Sequence, residues 1–168
     1  KSVAVDVFRR ADDFRRSSAE ETLKRQQVEL TQQGGDVRVY SRSQKQSRWF
    51  WFWRGDRLSI RYVISVPKHY HVDLKTSCGS ISVSDLEGTV KVRTSGGNLR
   101  LGKINGPVWG RTSGGSITLD GCRQTVDVET SGGSLNIGDV EGTVVARTSG
   151  GSIRIKQAKG DVTARTSG

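Results

Sequence analysis

The sequence lacks several features that define other classes of protein. It has two cysteines among 168 residues, which are too few for a disulfide framework and lack a metal-binding spacing. No apolar run approaches the roughly 18 residues that a membrane-spanning helix requires. The chain begins at Lys1 instead of a methionine, which indicates a processed or trimmed chain, so the absence of a signal peptide is uninformative. A disulfide-stapled scaffold and a membrane-spanning helix are therefore excluded for this sequence.

Positive charge is concentrated in the first part of the chain. Residues 1–75 contain 16 Lys and Arg against 9 Asp and Glu, whereas residues 76–168 contain 11 against 8. One third of the residues are apolar, so a chain of this length can build a core. The basic surplus therefore precedes the repeats described next.

An 18-residue repeat occupies the second half of the chain. The sequence RTSGGSI at 147–153 has counterparts that begin at residues 93, 111 and 129, without an insertion or deletion. Five complete units cover residues 76–165, and residues 166–168 open a sixth. Each unit contains two short runs in which apolar and polar residues alternate, which is typical of strands. Because one unit cannot bury its own face, stacked units are predicted to form an all-β, single-chain parallel β-helix (a β-solenoid) with 18-residue coils.

Five columns of the aligned repeat are predicted to face the core. They begin with Ile81, Val83, Leu86, Val90 and Val92, and they recur every 18 residues with apolar or small side chains. An unbroken inward column is what a continuous core along a solenoid requires.

The TSGG block is predicted to form a corner between consecutive coils. Its second glycine shares a column with Gly79 in every unit, so that position is predicted to need a positive φ. The preceding column contains Cys78 in the first unit, so it is predicted to tolerate a side chain. The Thr and Ser of the block can stack their hydroxyls along the corner. These residues are interpreted as architecture and not as an active site.

The two cysteines are predicted to remain unpaired. Cys78 and Cys122 lie in different columns two coils apart, so about 9.6 Å of axial rise separates them, which exceeds the reach of a disulfide. Cys122 occupies a core column and is predicted to be inert, whereas Cys78 lies at a corner and is predicted to react first.

Residues 1–75 are predicted to form irregular N-terminal coils that cap the solenoid. Strands are expected at 3–7 and 57–67, and a strand, turn and second strand at 28–40. A capping-box pattern predicts a short helix near 18–27. A cap is physically required because an open solenoid end exposes unpaired strand edges.

An aromatic arm at about 45–57 is the unusual element of this region. Its candidate interaction residues are Arg48, Trp49, Phe50, Trp51, Phe52, Trp53, Arg54 and Arg57. Two interpretations remain open. The rings pack on the solenoid or on a neighbouring chain, or the segment is exposed and binds an acidic surface such as lipid headgroups or an anionic glycan, with nucleic acid the least favoured partner.

No catalytic, cofactor-binding or metal-binding constellation is expected. Two Asp-x-Glu pairs at 85–87 and 139–141 lie three coils apart, roughly 14 Å, too far to act together. Histidines His69 and His71 share one side of a strand but lack further ligands. No aspartate recurs where a calcium-binding solenoid repeat needs one. The sequence therefore predicts a protein that is not an enzyme, with a polysaccharide lyase or hydrolase as the least favoured function.

One outward column consists of charged residues, and it is predicted to be balanced along its length. It reads Arg93, Arg111, Glu129, Arg147 and Arg165. Neighbouring cations about 5 Å apart repel by roughly 0.8 kcal/mol in water, and the central glutamate relieves this repulsion.

The last repeat is predicted to form a self-association edge. Its strands, around 152–155 and 162–165, would leave backbone groups unpaired, together with the apolar side chains of Ile153, Ile155 and Val162. Further repeats, an end-to-end partner or a strand donated by another chain, with 3–8 as the candidate donor, would cover this edge.

The chain resembles a bacterial adhesin-like family of unknown function, whose members are extracytoplasmic β-solenoid domains with T-S-x-G repeats. The resemblance rests on VELTQQGGDVRV (28–39), on YVISVPKHYHVDLKTSCGSISV (62–83) and on every EGTVKVRTSGG-type unit that follows. The WFWFW segment departs from the family pattern. The resemblance implies a parallel β-helix at the bacterial cell envelope or secreted from it, with no established enzymatic role and no catalytic residues to transfer.

These observations favour a non-enzymatic structural or interaction module of the bacterial envelope. It would be adhesin-like, would bind a protein partner (a second copy or an envelope protein), and would self-associate end to end. The alternative is a module that binds an acidic polymer or membrane surface through the Trp- and Arg-rich segment.

Overall fold

The computed structural model describes residues 3–12, 26–33, 36–43 and 57–168, which contain fifteen strands. The chain divides into two compact units, Lys1–Pro67 and Lys68–Gly168. The second unit contains all five repeats.

The first unit contains two antiparallel strand pairs within its described residues. Strand β1 (Ala4–Asp12) pairs with β4 (Arg57–Ser65), and β2 (Gln26–Gln33) pairs with β3 (Asp36–Ser43). The strands predicted near 3–7, 28–40 and 57–67 are confirmed. Because β4 hydrogen-bonds along β1, one edge of the candidate donor strand is already occupied within its own chain.

Two predictions for this unit fall largely outside the described residues. The helix expected near 18–27 lies there except for Gln26 and Gln27. These two residues begin β2 and pair with Ser43 and Arg42, so the helix assignment is wrong at its C-terminal end. The hairpin ladder supplies partners for their backbone groups. Most of the aromatic arm, residues 45–56, is also outside the described part of the chain.

The second unit is built from two parallel sheets. The six-stranded sheet contains β5 (Val72–Lys75), β7 (Val90–Arg93), β9 (Val108–Arg111), β11 (Val126–Thr130), β13 (Val144–Thr148) and β15 (Val162–Thr166). The five-stranded sheet contains β6 (Ile81–Val83), β8 (Leu99–Ile104), β10 (Ile117–Cys122), β12 (Leu135–Val140) and β14 (Ile153–Ala158). Successive strands alternate between the two sheets, so each coil contributes one strand to each sheet. This unit is therefore a parallel β-solenoid with about 18 residues per coil, as the repeat predicted.

The register follows the repeat period. Val126 pairs with Val108 on one side and with Val144 on the other, and Ile117 pairs with Leu99 and Leu135. Every predicted column is therefore one ladder of hydrogen-bonded neighbours. Strand β5 precedes the first complete repeat and extends the six-stranded sheet by pairing in parallel with β7.

The core lies between the two sheets and consists of the predicted inward columns. Val90, Val108, Val126 and Val144 are completely buried. Each begins a different strand, and the residue that follows it points outward. Burial of each such side chain stabilises the fold by roughly 1.5 to 3 kcal/mol relative to exposure. In the coil 148–165 the same columns are more open, and Val162 is 49% exposed.

The TSGG corner needs glycine because backbones approach closely, and the prediction of a positive φ there is wrong. The column contains Gly79, Gly97, Gly115, Gly133 and Gly151. Among the described residues only Gly88 has a positive φ, 152°. A Cβ on Gly115 would instead overlap the carbonyl oxygen of Gly97 in the preceding coil and lie 2.9 Å from Asn98 N.

The column before it has room, as Cys78 indicated. A Cβ on Gly114 would lie 3.7 Å from its nearest heavy atom, Ser95 O, which is an ordinary van der Waals distance. The two adjacent glycines of the corner therefore differ in what they tolerate.

A buried threonine ladder ties neighbouring coils together at the corner. Thr130 is 2% exposed, and its hydroxyl donates to Gly115 O at 2.7 Å and accepts from Gly133 N at 3.3 Å. The equivalent threonines at 94, 112 and 148 make the same two contacts. Each hydroxyl thus connects the preceding coil to the start of the next strand.

The threonine ladder leads to a stability prediction. We expect Thr130→Val to destabilise the solenoid by about 2 kcal/mol, because valine keeps the shape but leaves two buried backbone groups without their partner. Thr118→Val makes the same change on an outward position and is expected to stay within about 0.5 kcal/mol of wild type. Urea denaturation of both variants measures the difference, and equal midpoints would contradict the role of the buried hydroxyl.

The cysteines are unpaired, as predicted. Cys78 is exposed and Cys122 is buried. Burial raises the pKa of the Cys122 thiol, and its Sγ lies 3.1 Å from Gly106 O. A raised pKa lowers the thiolate fraction, and the thiolate is the reactive form.

We therefore expect iodoacetamide to alkylate Cys78 about tenfold faster than Cys122 in the folded protein at pH 8. Peptide mapping by mass spectrometry follows both sites, and the same reaction in concentrated urea is the control in which the rates converge. Equal rates in the folded protein would show that the core column at Cys122 opens readily.

Candidate functional site

The outward positions of the six-stranded sheet form a surface of stacked side chains. Each strand alternates between buried and outward residues; in β7, for example, Val90 and Val92 are buried while Lys91 and Arg93 are exposed. Strand pairing in register then aligns the outward residues of successive coils. Two parallel rows result, and they are named here by their composition.

The charged row extends the predicted charged column by one residue, Lys75. It reads Lys75, Arg93, Arg111, Glu129, Arg147 and Arg165. The mixed row lies beside it and reads Asp73, Lys91, Trp109, Asp127, Val145 and Thr163.

The two halves of this surface differ in charge balance. On β9, β11 and β13, Arg111 Nε lies 3.7 Å from Glu129 Oε2, and Arg147 Nη1 lies 3.3 Å from Asp127 Oδ1. On β5 and β7, by contrast, Lys75 and Arg93 have no ion-pair partner among the described residues. Consecutive cations Lys75, Arg93 and Arg111 thus form an incompletely neutralised run at one end of the charged row.

Trp109 lies next to this run and was missed by the sequence reasoning. Its side chain is 38% exposed, and Lys91 Nζ lies 5.5 Å from the centroid of its ring, a cation–π geometry. The aromatic residues that the sequence marks as candidates for interaction lie at 49–53. The signal that would have found Trp109 is its position directly after the inward residue Val108, which places it on the outer face.

The five-stranded sheet carries a more polar outer face. Its outward column contains Ser82, Arg100, Thr118, Asn136 and Arg154. At its edge, Asp139 Oδ2 accepts from Lys156 Nζ at 2.9 Å, and Asp85 Oδ1 accepts from the backbone N–H of Lys103 at 2.7 Å. The carboxylates of the Asp-x-Glu pairs therefore contact neighbouring coils, and the two pairs remain apart as the repeat spacing predicted.

Glu87 forms a small cluster at the first coil. Lys68 Nζ lies 2.9 Å and His69 Nδ1 lies 2.6 Å from its carboxylate oxygens. The hydrogen bond from Lys68 lowers the pKa of Glu87, and Glu87 in turn raises the pKa of Lys68. The cluster fastens residues 68–69 to the following coil, which is a structural role.

The two histidines have separate partners. His69 contacts Glu87, whereas His71 Nδ1 accepts the backbone N–H of Thr89 at 2.9 Å. Within residues 3–12, 26–33, 36–43 and 57–168, no group of three or more His, Cys, Asp or Glu is placed to hold a metal ion.

The remaining sequence-predicted interaction residues are only partly described. Arg48, Trp49, Phe50, Trp51, Phe52, Trp53 and Arg54 lie outside the described residues. Arg57 is the first residue of β4, and its backbone lies opposite Asp12 of β1 in the strand register. At the predicted self-association edge, Ile153 and Ile155 are half-buried, and association there stays a prediction. No helix in the described part of the chain is long and apolar enough to cross a membrane.

Comparison with known proteins identifies the family of the whole chain. No curated protein and no solved structure is significantly similar to it. A family model described as Toastrack DUF4097 matches residues 2–167, which include both compact units. The match agrees with the solenoid architecture and leaves the adhesive role a prediction. The chain therefore belongs to the Toastrack DUF4097 family, whose members are domains of unknown function.

Proposed function

We propose that this domain is a non-enzymatic structural and interaction module of the bacterial cell envelope, which presents rows of outward side chains to a binding partner. The observation that carries the proposal is the in-register stacking of exposed residues on the six-stranded sheet, along the charged and mixed rows. Such rows are an extended surface with a regular spacing of about 4.8 Å.

The scaffold beneath the rows favours binding without large rearrangement. Val126 and its column neighbours are fully buried, and the threonine ladder fixes each coil to the one before it. The backbone that carries these side chains is already ordered before a partner binds, so association costs little further backbone entropy. An adhesin-like role, with an envelope protein or polymer as the partner, fits this preorganisation.

The family resemblance is the basis for proposing an extracytoplasmic location, either at the cell envelope or secreted from it. The two unpaired cysteines are compatible with that location and do not require it. The proposal assigns no catalytic residues and no cofactor to the domain.

Co-sedimentation with isolated bacterial envelope fragments tests the proposal. We expect saturable binding of the folded domain, and loss of binding for the Val126→Asp variant, whose scaffold is disrupted. Chromatography of the supernatant checks that envelope polymers keep their length. Absence of saturable binding, or shortening of a polymer by the purified domain, would contradict the proposed module.

A second candidate function is favoured by the composition of residues 48–57, in which five consecutive aromatic residues are flanked by arginines. Such a segment suits an acidic polymer or a membrane surface. We expect Trp51→Ala combined with Arg54→Ala to weaken envelope binding about tenfold while leaving the melting temperature nearly unchanged. A large fall in melting temperature would instead assign the rings to a core.

A further inference from the structure

We propose that the first three cations of the charged row, together with Trp109, bind one linear acidic glycan chain that runs along the solenoid axis. The cations are Lys75, Arg93 and Arg111 on β5, β7 and β9, and they are called the basic run. This inference rests on the proposed interaction module and names the chemistry of its partner.

The geometry of the basic run suits a chain. The register Lys75–Arg93–Arg111 places one cation on each of three adjacent strands, so neighbouring positive groups repeat about every 4.8 Å along the axis. The run is one residue wide. A polymer that carries carboxylate or sulfate groups along its length can therefore contact successive cations without bending away from the sheet.

The charge of the basic run provides the attraction. Lys75 and Arg93 have no ion pair within the described residues, and the contact from Arg111 to Glu129 is long at 3.7 Å. Further along the charged row, Glu129 itself carries negative charge, and Arg147 is offset by Asp127 of the mixed row at 3.3 Å. An anionic chain would replace the mutual repulsion of the three cations by attraction, and because the cations are exposed this attraction would weaken as salt is added.

Trp109 provides a contact of a different kind. Its ring is partly exposed on the adjacent mixed row. Arg111, two residues later on β9, lies on the same outward face. An aromatic ring has an apolar, partially negative face, which suits the C–H groups on the face of a sugar ring. Lys91, 5.5 Å from the ring centroid, adds a fourth cation beside the proposed path.

The same observations disfavour the other polyanions. A bilayer surface is planar and calls for several apolar residues that enter the interface. Among the described residues, Trp109 is the single large exposed aromatic residue on this face. Single-stranded nucleic acid is bound through successive aromatic residues that stack successive bases, and the neighbours of Trp109 in its row are Lys91 and Asp127. An acidic glycan needs only the cations and one ring.

Titration calorimetry of the full chain with a size-defined heparin oligosaccharide, a sulfated glycan, tests the inference. The test variant is Arg93→Gln with Arg111→Gln. The matched control is Arg100→Gln with Arg154→Gln, which removes the same charge from exposed positions on the other sheet. We expect the test variant to bind about tenfold more weakly, since two charge-assisted contacts are lost, and the control to change by less than about twofold.

A variant that is expected to bind more tightly serves as a further control, because a folding defect could weaken heparin binding but could not strengthen it. Asp73→Asn removes the exposed carboxylate beside the basic run, and we expect it to strengthen heparin binding about twofold to threefold. Trp109→Thr is expected to weaken binding without changing its salt dependence, because threonine suits a strand and removes only the ring.

Several results would overturn the inference. Equal losses in the test and control variants would show that binding follows net charge alone. Loss of binding only in the Trp51→Ala, Arg54→Ala variant would assign the ligand to the aromatic segment. Tighter binding of oligo(dT) or of phosphatidylglycerol vesicles through the same arginines would replace the glycan by another polyanion. Absence of heparin binding together with saturable envelope binding would refute the glycan and leave the proposed module intact.

Discussion

Val126→Asp is expected to lower the free energy of unfolding of the solenoid by about 4 kcal/mol or more at neutral pH, the largest effect predicted for a single substitution. Val126 is completely buried at the centre of its ladder, between Val108 and Val144. Full burial raises the pKa of a carboxyl group by about 3 to 5 units. Each unit corresponds to 1.36 kcal/mol of lost stability at a pH where the carboxyl is ionised in the unfolded chain.

The sign of this pKa change predicts a pH dependence. With the folded-state pKa above the unfolded value of about 3.9, the folded variant binds the extra proton, so its stability falls as the pH rises from about 4 towards the folded pKa. We expect the loss relative to wild type to be about 3 kcal/mol greater at pH 7.5 than at pH 5. Urea denaturation at the two pH values measures it.

Val145→Asp is the matched control for this prediction. Val145 directly follows Val144 on β13, and its side chain points outward into the mixed row. Its neighbour in register on β11 is already an aspartate, Asp127. The same substitution there is expected to cost about 1 kcal/mol, from lost strand propensity and like-charge repulsion. Similar losses at the two positions would mean that the assigned inward column does not form the core.

Gly115→Ala is expected to destabilise the fold by about 3 kcal/mol, at the upper end of the range for overpacking. The added Cβ would overlap the carbonyl oxygen of Gly97, which is backbone and cannot rotate away. Moving the coils apart would also strain the hydrogen bond from the Thr112 hydroxyl to that same oxygen, 2.9 Å long. One methyl group thus disturbs both the stacking and the threonine ladder.

Gly114→Ala, one residue earlier, is the control. Its Cβ would meet nothing closer than 3.7 Å, and its backbone has no positive φ. Alanine there is expected to be neutral or to stabilise by up to about 1 kcal/mol, because it restricts the unfolded chain. Thermal melting of both variants tests the contrast, and a loss at Gly114 as large as at Gly115 would contradict the close approach of backbones as its cause.

The two glycine variants bear on how the surface could evolve new partners. The corner residues and the inward columns are fixed by contacts between coils. Positions such as Lys91, Trp109 and Val145 instead direct their side chains outward, away from the core. Outward rows can therefore change their chemistry while the scaffold remains intact. This separation is what an interaction module needs, since the recognised partner can vary without loss of stability.

The sequence by itself determined the solenoid, its register and its core. A repeat of fixed length with no insertions forces equivalent residues into one ladder, so the positions of Val126 in the core and of Arg93 and Arg111 in one outward row could be predicted from spacing alone. The separation of Cys78 from Cys122 followed from the same period. The strands at 28–40 and 57–67 were visible from local alternation.

Only the tertiary structure decided features that depend on distances between chain segments remote in sequence. The glycine column looked like a requirement for unusual φ, yet the obstacle is a carbonyl oxygen that comes from the coil before it. The pairing of β1 with β4 was not visible, because antiparallel pairing over a long separation in sequence leaves no local periodicity. The basic run was likewise hidden: Lys75 precedes the repeats, and only the pairing of β5 with β7 aligns it with Arg93. Local patterns report which way a side chain points, but what it meets there depends on chain segments that folding brings together.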